Sequence, residues 1–103
     1  MTLDEIADVL KQAPSCDASM KTFQDCSLSS SGDLRLGDAV RERCEADFLS
    51  KLQTPQKRVY EREVKACNGK YRDQSGTMYR SWEGFCAAEV AQRYSQRALK
   101  RSR

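Results

Sequence analysis

CNGKYRDQSGTMYRSWEGFC, residues 67–86, reads as two helical arms that meet at Ser75-Gly76, with one cysteine on each arm. Counted from that turn, Cys67 lies eight or nine residues back and Cys86 ten or eleven forward. A mismatch of about two residues is roughly 3 Å along a helix. An antiparallel pair absorbs that while holding α-carbons at the separation a disulfide requires. The expectation is a helical hairpin stapled by Cys67–Cys86, with the remaining helices packed around it. Arg72, Asp73 and Gln74 mark its exposed turn and are the contact-loop candidates. By helical phase, Tyr71, Tyr79 and Trp82 are assigned mostly to the core.

Upstream, Thr2 and Glu5 form a capping-box pattern, and Leu3, Ile6, Leu10 and Ala13 give a first helix one apolar face. Pro14 ends it, because proline lacks the amide and disfavours helical geometry before itself. A second helix from Ser15 carries Cys16, Met20, Phe23 and Cys26 on one stripe. Residues 27–33, SLSSSGD, are a polar break, after which Asp33 is expected to cap the next helix. Leu36, Val40, Cys44, Phe48 and Leu52 step by four and predict a helix of about five turns. Thr54-Pro55 supplies a cap and a first-turn proline for the fourth helix, with Tyr60, Val64, Cys67 and Tyr71 on its stripe. Thr77 opens the last, with Tyr79, Trp82, Cys86, Val90 and Tyr94 expected to face inward.

The predicted fold is therefore all-α: one domain of about five helices. Residues 1–14 form an N-terminal helix, 15–53 a helical pair, 54–99 the hairpin, and 100–103 a basic tail. At 103 residues the chain can bury only a modest core. Five cysteines make a disulfide framework the natural supplement and point to an oxidising compartment. Cytoplasmic residence with reduced, buried cysteines is the alternative. The start, MTLDEIADVLK, is acidic and amphipathic, so an exported chain would take its signal from outside this sequence.

The other three cysteines leave the pairing open. If residues 15–26 are one continuous helix, Cys16 and Cys26 stand about 15 Å apart, and Cys16 reaches Cys44 instead. If that helix breaks, Cys16–Cys26 forms, and Cys26 is able to replace either partner. One thiol is left over in each case. The spacings lack a CxxC, and zinc ligation is not expected. With no histidine in the chain, a histidine base or histidine-ligated metal is excluded within it. The carboxylates form no acid/base constellation, so neither an enzyme nor a cofactor protein is expected.

These blocks resemble the N-terminal domain family of LprI-type lysozyme inhibitors, small cysteine-containing helical domains of bacterial envelopes. Cys16 and Cys26 would be the family's first two cysteines, and Leu34 to Asp38 its leucine-to-aspartate segment. Tyr60-Glu61-Arg62-Glu63 with Cys67 match the third block, and Ser75-Gly76-Thr77-Met78 with Cys86 the fourth. Arg93 and Leu99 fall in the polar tail that follows. The chain departs from the pattern in Tyr60, where tryptophan is usual, in the Ser27–Ser31 insertion and in the extra Cys44. The resemblance implies a periplasmic or secreted protein that binds another protein, with a lysozyme-like hydrolase as partner.

Charge divides along the chain. Residues 1–50 carry a net −5 and residues 51–103 a net +8. Asp17, Asp25, Glu42, Glu45 and Asp47 are the acidic candidates for steering a basic enzyme. The competing reading is an anionic surface or nucleic acid bound by the basic half. It would use Lys57, Arg58, Arg62, Lys65, Lys70, Arg72, Arg80, Arg93, Arg97, Lys100, Arg101 and Arg103, interleaved with Tyr71, Tyr79 and Trp82.

Overall fold

The computed structural model describes residues 1–27 and 30–101. Leu28 and Ser29 of the expected polar break, and Ser102 and Arg103 of the expected tail, lie outside the described residues. Five helices follow one another: α1 Leu3–Lys11, α2 Cys16–Cys26, α3 Gly32–Glu45, α4 Thr54–Tyr71 and α5 Thr77–Arg101, with a short 3-10 turn at Leu49–Lys51. No strand occurs among the described residues, so the chain is all-helical.

The helices alternate in direction. Asp4 pairs with Arg35 at 2.7 Å and Lys11 with Glu42 at 3.7 Å, so α1 runs parallel to α3. Ser81 meets Asp33 and Ser95 meets Asp47, so α5 also runs parallel to α3. α2 and α4 run the other way. α3 and α5 form the most extensive helix pair; α1 lies against α3, α2 against both, and α4 against α5. The body measures 39 × 30 × 17 Å.

The first two helices begin as their side chains dictate. Thr2 and Glu5 complete a reciprocal capping box on α1, and the Ser15 hydroxyl accepts from the Ala18 amide at 3.0 Å. The Pro14 break is braced from α3, where Arg43 donates to the carbonyls of Ala13 at 2.8 Å and Pro14 at 3.1 Å. The buried hydroxyl of Ser19 donates to the Leu10 carbonyl at 2.8 Å. Carbonyls released at the end of α1 thus find partners inside the fold.

Three expected boundaries are corrected. Asp33 does not cap α3; it lies inside the first turn, fully buried, and accepts a hydrogen bond from Ser81. The five-turn helix stops at Glu45, because the amides of Asp47 and Phe48 bond three residues back and Phe48 leaves helical geometry at φ −143°. Phe48 still enters the core, edge-on to Tyr60 at 5.1 Å between ring centres. At α4 the cap is Gln53, reciprocally bonded with Gln56, so Thr54 and Pro55 are already helical.

Of the stripe expected to face inward on α5, Val90 is buried and Cys86 and Tyr94 pack against the core, but the face that meets α3 is a different one. Its buried residues include Ser81, Gly84, Ala88, Ala91 and Ser95, a stripe of small side chains at steps of three and four. That stripe faces α3, where a Cβ built on Gly37 would lie 2.5 Å from the Gly84 carbonyl oxygen. Two glycines let the backbones approach more closely than any side chain would allow. The larger residues of α5 are displaced to the flanks: Phe85 stacks on Phe23 with ring centres 4.0 Å apart, and Tyr94 meets Phe48 at 5.3 Å.

Because α2 is continuous, Cys16 cannot reach Cys26 and instead meets Cys44, sulfur to sulfur 1.93 Å. Cys67 and Cys86 are likewise at bonding distance, 2.12 Å, with α-carbons 5.7 Å apart. Cys26 is left at the end of α2. Loops of 28 and 19 residues would each contribute roughly 3–3.5 kcal/mol if closed covalently, on chain-entropy reasoning.

Two measurements test this packing. Gly84→Ala is expected to lower unfolding free energy by roughly 2–3 kcal/mol, because the new methyl meets the α3 backbone. Gly69→Ala, with nothing within 4 Å of the added carbon, should stabilise by about 0.5–1 kcal/mol through helix propensity. Urea denaturation of both should therefore give shifts of opposite sign. Alkylation in denaturant without reductant should label Cys26 alone, and all five cysteines after reduction; a labelled Cys67 or Cys86 before reduction would remove the staple.

Candidate functional site

The end of the hairpin beyond Cys67–Cys86 combines exposed apolar rings with a braced backbone. α4 ends at Tyr71, residues 72–76 turn the chain, and α5 starts at Thr77. Gly76 has φ +119°, a conformation open to glycine and strained for any other residue. Arg80 reaches back from α5 to donate to the carbonyls of Tyr71 and Gln74. The last carbonyl of α4 and one carbonyl of the turn thereby each accept from the same arginine. Arg80 also pairs with Glu83 at 3.3 Å, and Glu83 accepts from Asn68 of α4 at 3.2 Å. The turn is therefore tied to both helices it joins.

Tyr71, Tyr79 and Trp82, expected in the core, sit on the outside of this frame. Tyr71 and Tyr79 are half-buried, while Trp82 is 45% and the neighbouring Met78 54% exposed. The rings contact one another: Tyr79 is edge-on to Trp82 at 5.2 Å, and Tyr71 lies 6.0 Å from Trp82 and 6.4 Å from Tyr79. The Lys70 ammonium stands 5.4 Å from the centre of the Tyr71 ring. The cause is the face that α5 gives to α3: with Ser81 and Gly84 turned toward α3, Trp82 must turn away.

The contact-loop candidates Arg72, Asp73 and Gln74 are exposed beside the rings. Arg72 and Asp73 form no ion pair with any described residue. The tip thus offers an aromatic patch, Lys70 and Arg72 as cations, and one carboxylate. Clustered aromatic rings with polar handles, held on a rigid support, are the usual anchors of a binding surface.

The acidic candidates for steering are engaged elsewhere. Asp17 accepts from Gln92 at 2.9 Å, Asp25 pairs with Lys21 and Glu42 with Lys11. Glu45 accepts from Arg41 at 2.9 Å and from the Tyr60 hydroxyl at 2.6 Å. Asp47 accepts from Ser95 at 2.6 Å and pairs with Arg43. Two phenols beside carboxylates are shifted. Burial, reinforced by Glu45, pushes the Tyr60 phenol well above its ordinary range, and burial with the Glu63 hydrogen bond raises Tyr94.

The basic residues fall into two separated groups, at the tip and at the opposite end, where the α4 and α5 cations flank neighbouring clefts that share Val59. Lys70, Arg72 and Arg80 sit at the tip, Arg58, Arg62 and Lys65 on α4 beside Glu61, and Arg97 and Arg101 at the far end of α5. Across the 25 residues of α5 the two ends are about 36 Å apart. Among the described residues, no group of three or more cysteines and carboxylates is placed to hold a metal. No helix among the described residues is long and apolar enough to cross a membrane.

No protein-family model, curated protein or solved structure matches the chain. The tip is thus assigned on its own geometry. Sequence reasoning found its polar residues but missed its rings; the signal available was the small-residue run Ser81, Gly84, Ala88, Ala91, Ser95.

Trp82 is the sole tryptophan, which makes its position measurable. Its fluorescence should be quenched by acrylamide in the native state. Trp82→Ala should cost about 1 kcal/mol or less, against roughly 3–5 kcal/mol for Phe23→Ala in the core. Equal losses would place Trp82 in the interior.

Proposed function

We propose that this chain is a non-catalytic binding protein of a periplasmic or secreted setting, whose contact surface is the aromatic tip of the α4–α5 hairpin. The single observation that carries the reading is the cluster of Tyr71, Tyr79 and Trp82 presented together on a stapled, hydrogen-bonded turn. Ordering costs are low for such a surface, since the rings have few rotatable bonds and the backbone beneath them is held.

The partner class is a lysozyme-type hydrolase. A glycosidase cleft presents paired carboxylates and faces that receive sugar rings. Flat aromatic side chains fit those faces, and Lys70 and Arg72 meet the carboxylates with complementary charge. Inhibition of this kind needs occupation of the cleft and no reacting group. The likeness of the cysteine and turn blocks to LprI-type inhibitors points the same way. Two cysteine pairs at bonding distance fit an oxidising compartment. The cytoplasmic alternative would leave these four sulfurs as thiols.

Nucleic acid is disfavoured at the aromatic tip by the engagement of Arg80 with Glu83 and with the carbonyls of Tyr71 and Gln74. A continuous phosphate-tracking stripe there would require its cations free and aligned.

Calorimetric titration against a set of lysozymes should show saturable binding with loss of hydrolysis. Trp82→Ala or Tyr79→Ala should weaken it at least tenfold, and Arg72→Glu should slow association with a salt-dependent rate. Absence of binding at tens of micromolar would reject the lysozyme partner. Binding unaffected by the ring substitutions would reject the tip. Steeply salt-dependent retention of single-stranded DNA would instead favour the nucleic-acid reading.

A further inference from the structure

The opposite end of the hairpin holds a second surface of different chemistry. Where the 3-10 turn Leu49–Lys51 and the first turns of α4 meet the last turns of α5, a groove of about 570 Å³ opens to solvent. That is within the size range of small-molecule sites. Its floor is formed by Phe48, Leu52, Val59, Tyr94 and Ala98. The hydroxyl of Tyr94 donates to Glu63 at 3.0 Å, which fixes the ring as part of the floor.

Charge in this groove has one sign. Lys51, Arg97 and Arg101 line its edge, and no aspartate or glutamate does. None of the three is ion-paired with a described residue. Arg97 lies over the Tyr94 ring at 5.1 Å, placing a cation directly above apolar floor. Cations in the last turn of a helix are favourable to that helix by themselves. Lys51, however, comes from a separate element and converges on the same opening.

The walls also discriminate between occupants. Gln53 and Gln56 are the neutral polar side chains of the lining other than Tyr94, and the Gln56 carboxamide oxygen already accepts from the Gln53 amide at 2.9 Å. A peptide laid in the groove would bury amide groups with few side-chain acceptors, which costs free energy for each unpaired donor. A chain without polar groups along its length, ending in one anion, meets neither penalty.

We infer that this groove binds a fatty-acid carboxylate, its acyl chain along Phe48, Leu52, Val59 and Ala98 and its head among Lys51, Arg97 and Arg101. The site is separate from the hairpin tip and does not depend on the function assigned to it.

The test is an amide NMR titration of the full chain with dodecanoate, held below its micellar concentration. Saturable shifts are expected at Leu52, Val59 and Ala98, with Trp82 and its neighbours unmoved. The double substitution Lys51→Glu, Arg97→Glu should weaken binding at least tenfold, and a far-UV spectrum equal to the parent's would show the fold intact. Val59→Asp, on exposed floor, gives a second variant with the same expectation. Equal affinity for dodecyltrimethylammonium would reduce the site to a greasy surface and overturn the assignment of the head group. Shifts centred on Trp82, or no saturable shift, would overturn the site. Capture of an acidic peptide in the groove with no response to dodecanoate would overturn the acyl chain in favour of a peptide.

Discussion

The close approach of α3 and α5 is the constraint on which the rest of the structure depends. Gly37 and Gly84 remove the side chains that would hold the helices apart, and their backbones come into direct contact. Hydrogen bonds lie on either side of that contact along the seam: Ser81 to Asp33 and Ser95 to Asp47, each 2.6 Å. Both partners in each bond are substantially removed from water, where such a bond left half-made would cost more than it contributes when complete. Glycine contact sets the separation, and the serine–aspartate bonds set register and parallel direction. Sliding or rotating α5 by one residue would break both bonds and drive a side chain into backbone.

From that seam the placement of the large side chains follows. A helix that gives its small face to a neighbour must carry its bulk to the sides. Phe85 finds Phe23 on α2, and Tyr94 finds Phe48 and Tyr60 between α3 and α4. Beyond the staple no further helix among the described residues covers Tyr79 and Trp82, and their rings meet Tyr71 across the hairpin. The surface patch is thus a consequence of how the interior is solved. Exposing it costs apolar burial that the disulfide-distance pair beneath it is placed to offset.

Much of the fold was legible because helix boundaries rest on local chemistry. The Thr2–Glu5 box, Pro14, the Ser15 cap and the Ser75-Gly76 turn each act within a few residues. The cysteine geometry of the hairpin needed only the rise per residue and the place of the turn. The face of α5 that meets α3 was not legible by the same means, although Val90 of the expected stripe is buried. Apolar periodicity ranks residues by hydrophobicity, and by that measure Tyr79, Trp82, Cys86, Val90 and Tyr94 outweigh Ser81, Gly84, Ala88, Ala91 and Ser95. The close glycine contact reverses the ranking, since what decides it is the distance between backbones and not the greasiness of a stripe. Asp33 and Phe48 misled for a related reason. An aspartate after a glycine reads as a cap until a partner 48 residues away claims its carboxyl, and a residue at the right step reads as helical until the backbone unwinds to aim it.

The two ends of the α4–α5 hairpin therefore differ for a physical cause. At the tip, rings project because the bundle runs out of helices to cover them, and the few cations nearby are partly consumed in bracing the turn. At the open end the chain must cross from α3 to α4, and the 3-10 turn that carries it leaves Phe48 at the floor of a gap. α5 overruns that gap with a C-terminal turn whose helix dipole favours cations. An apolar floor and a cationic edge thus arise there together from the same two elements. A single small bundle can in this way hold two surfaces with little shared chemistry, Trp82 and Arg97 standing roughly 23 Å apart along one helix. The seam between α3 and α5 joins them mechanically, since Tyr79 and Trp82 of the ring cluster and Arg97 of the groove are carried on α5 at angles fixed by Gly84 and Ser95.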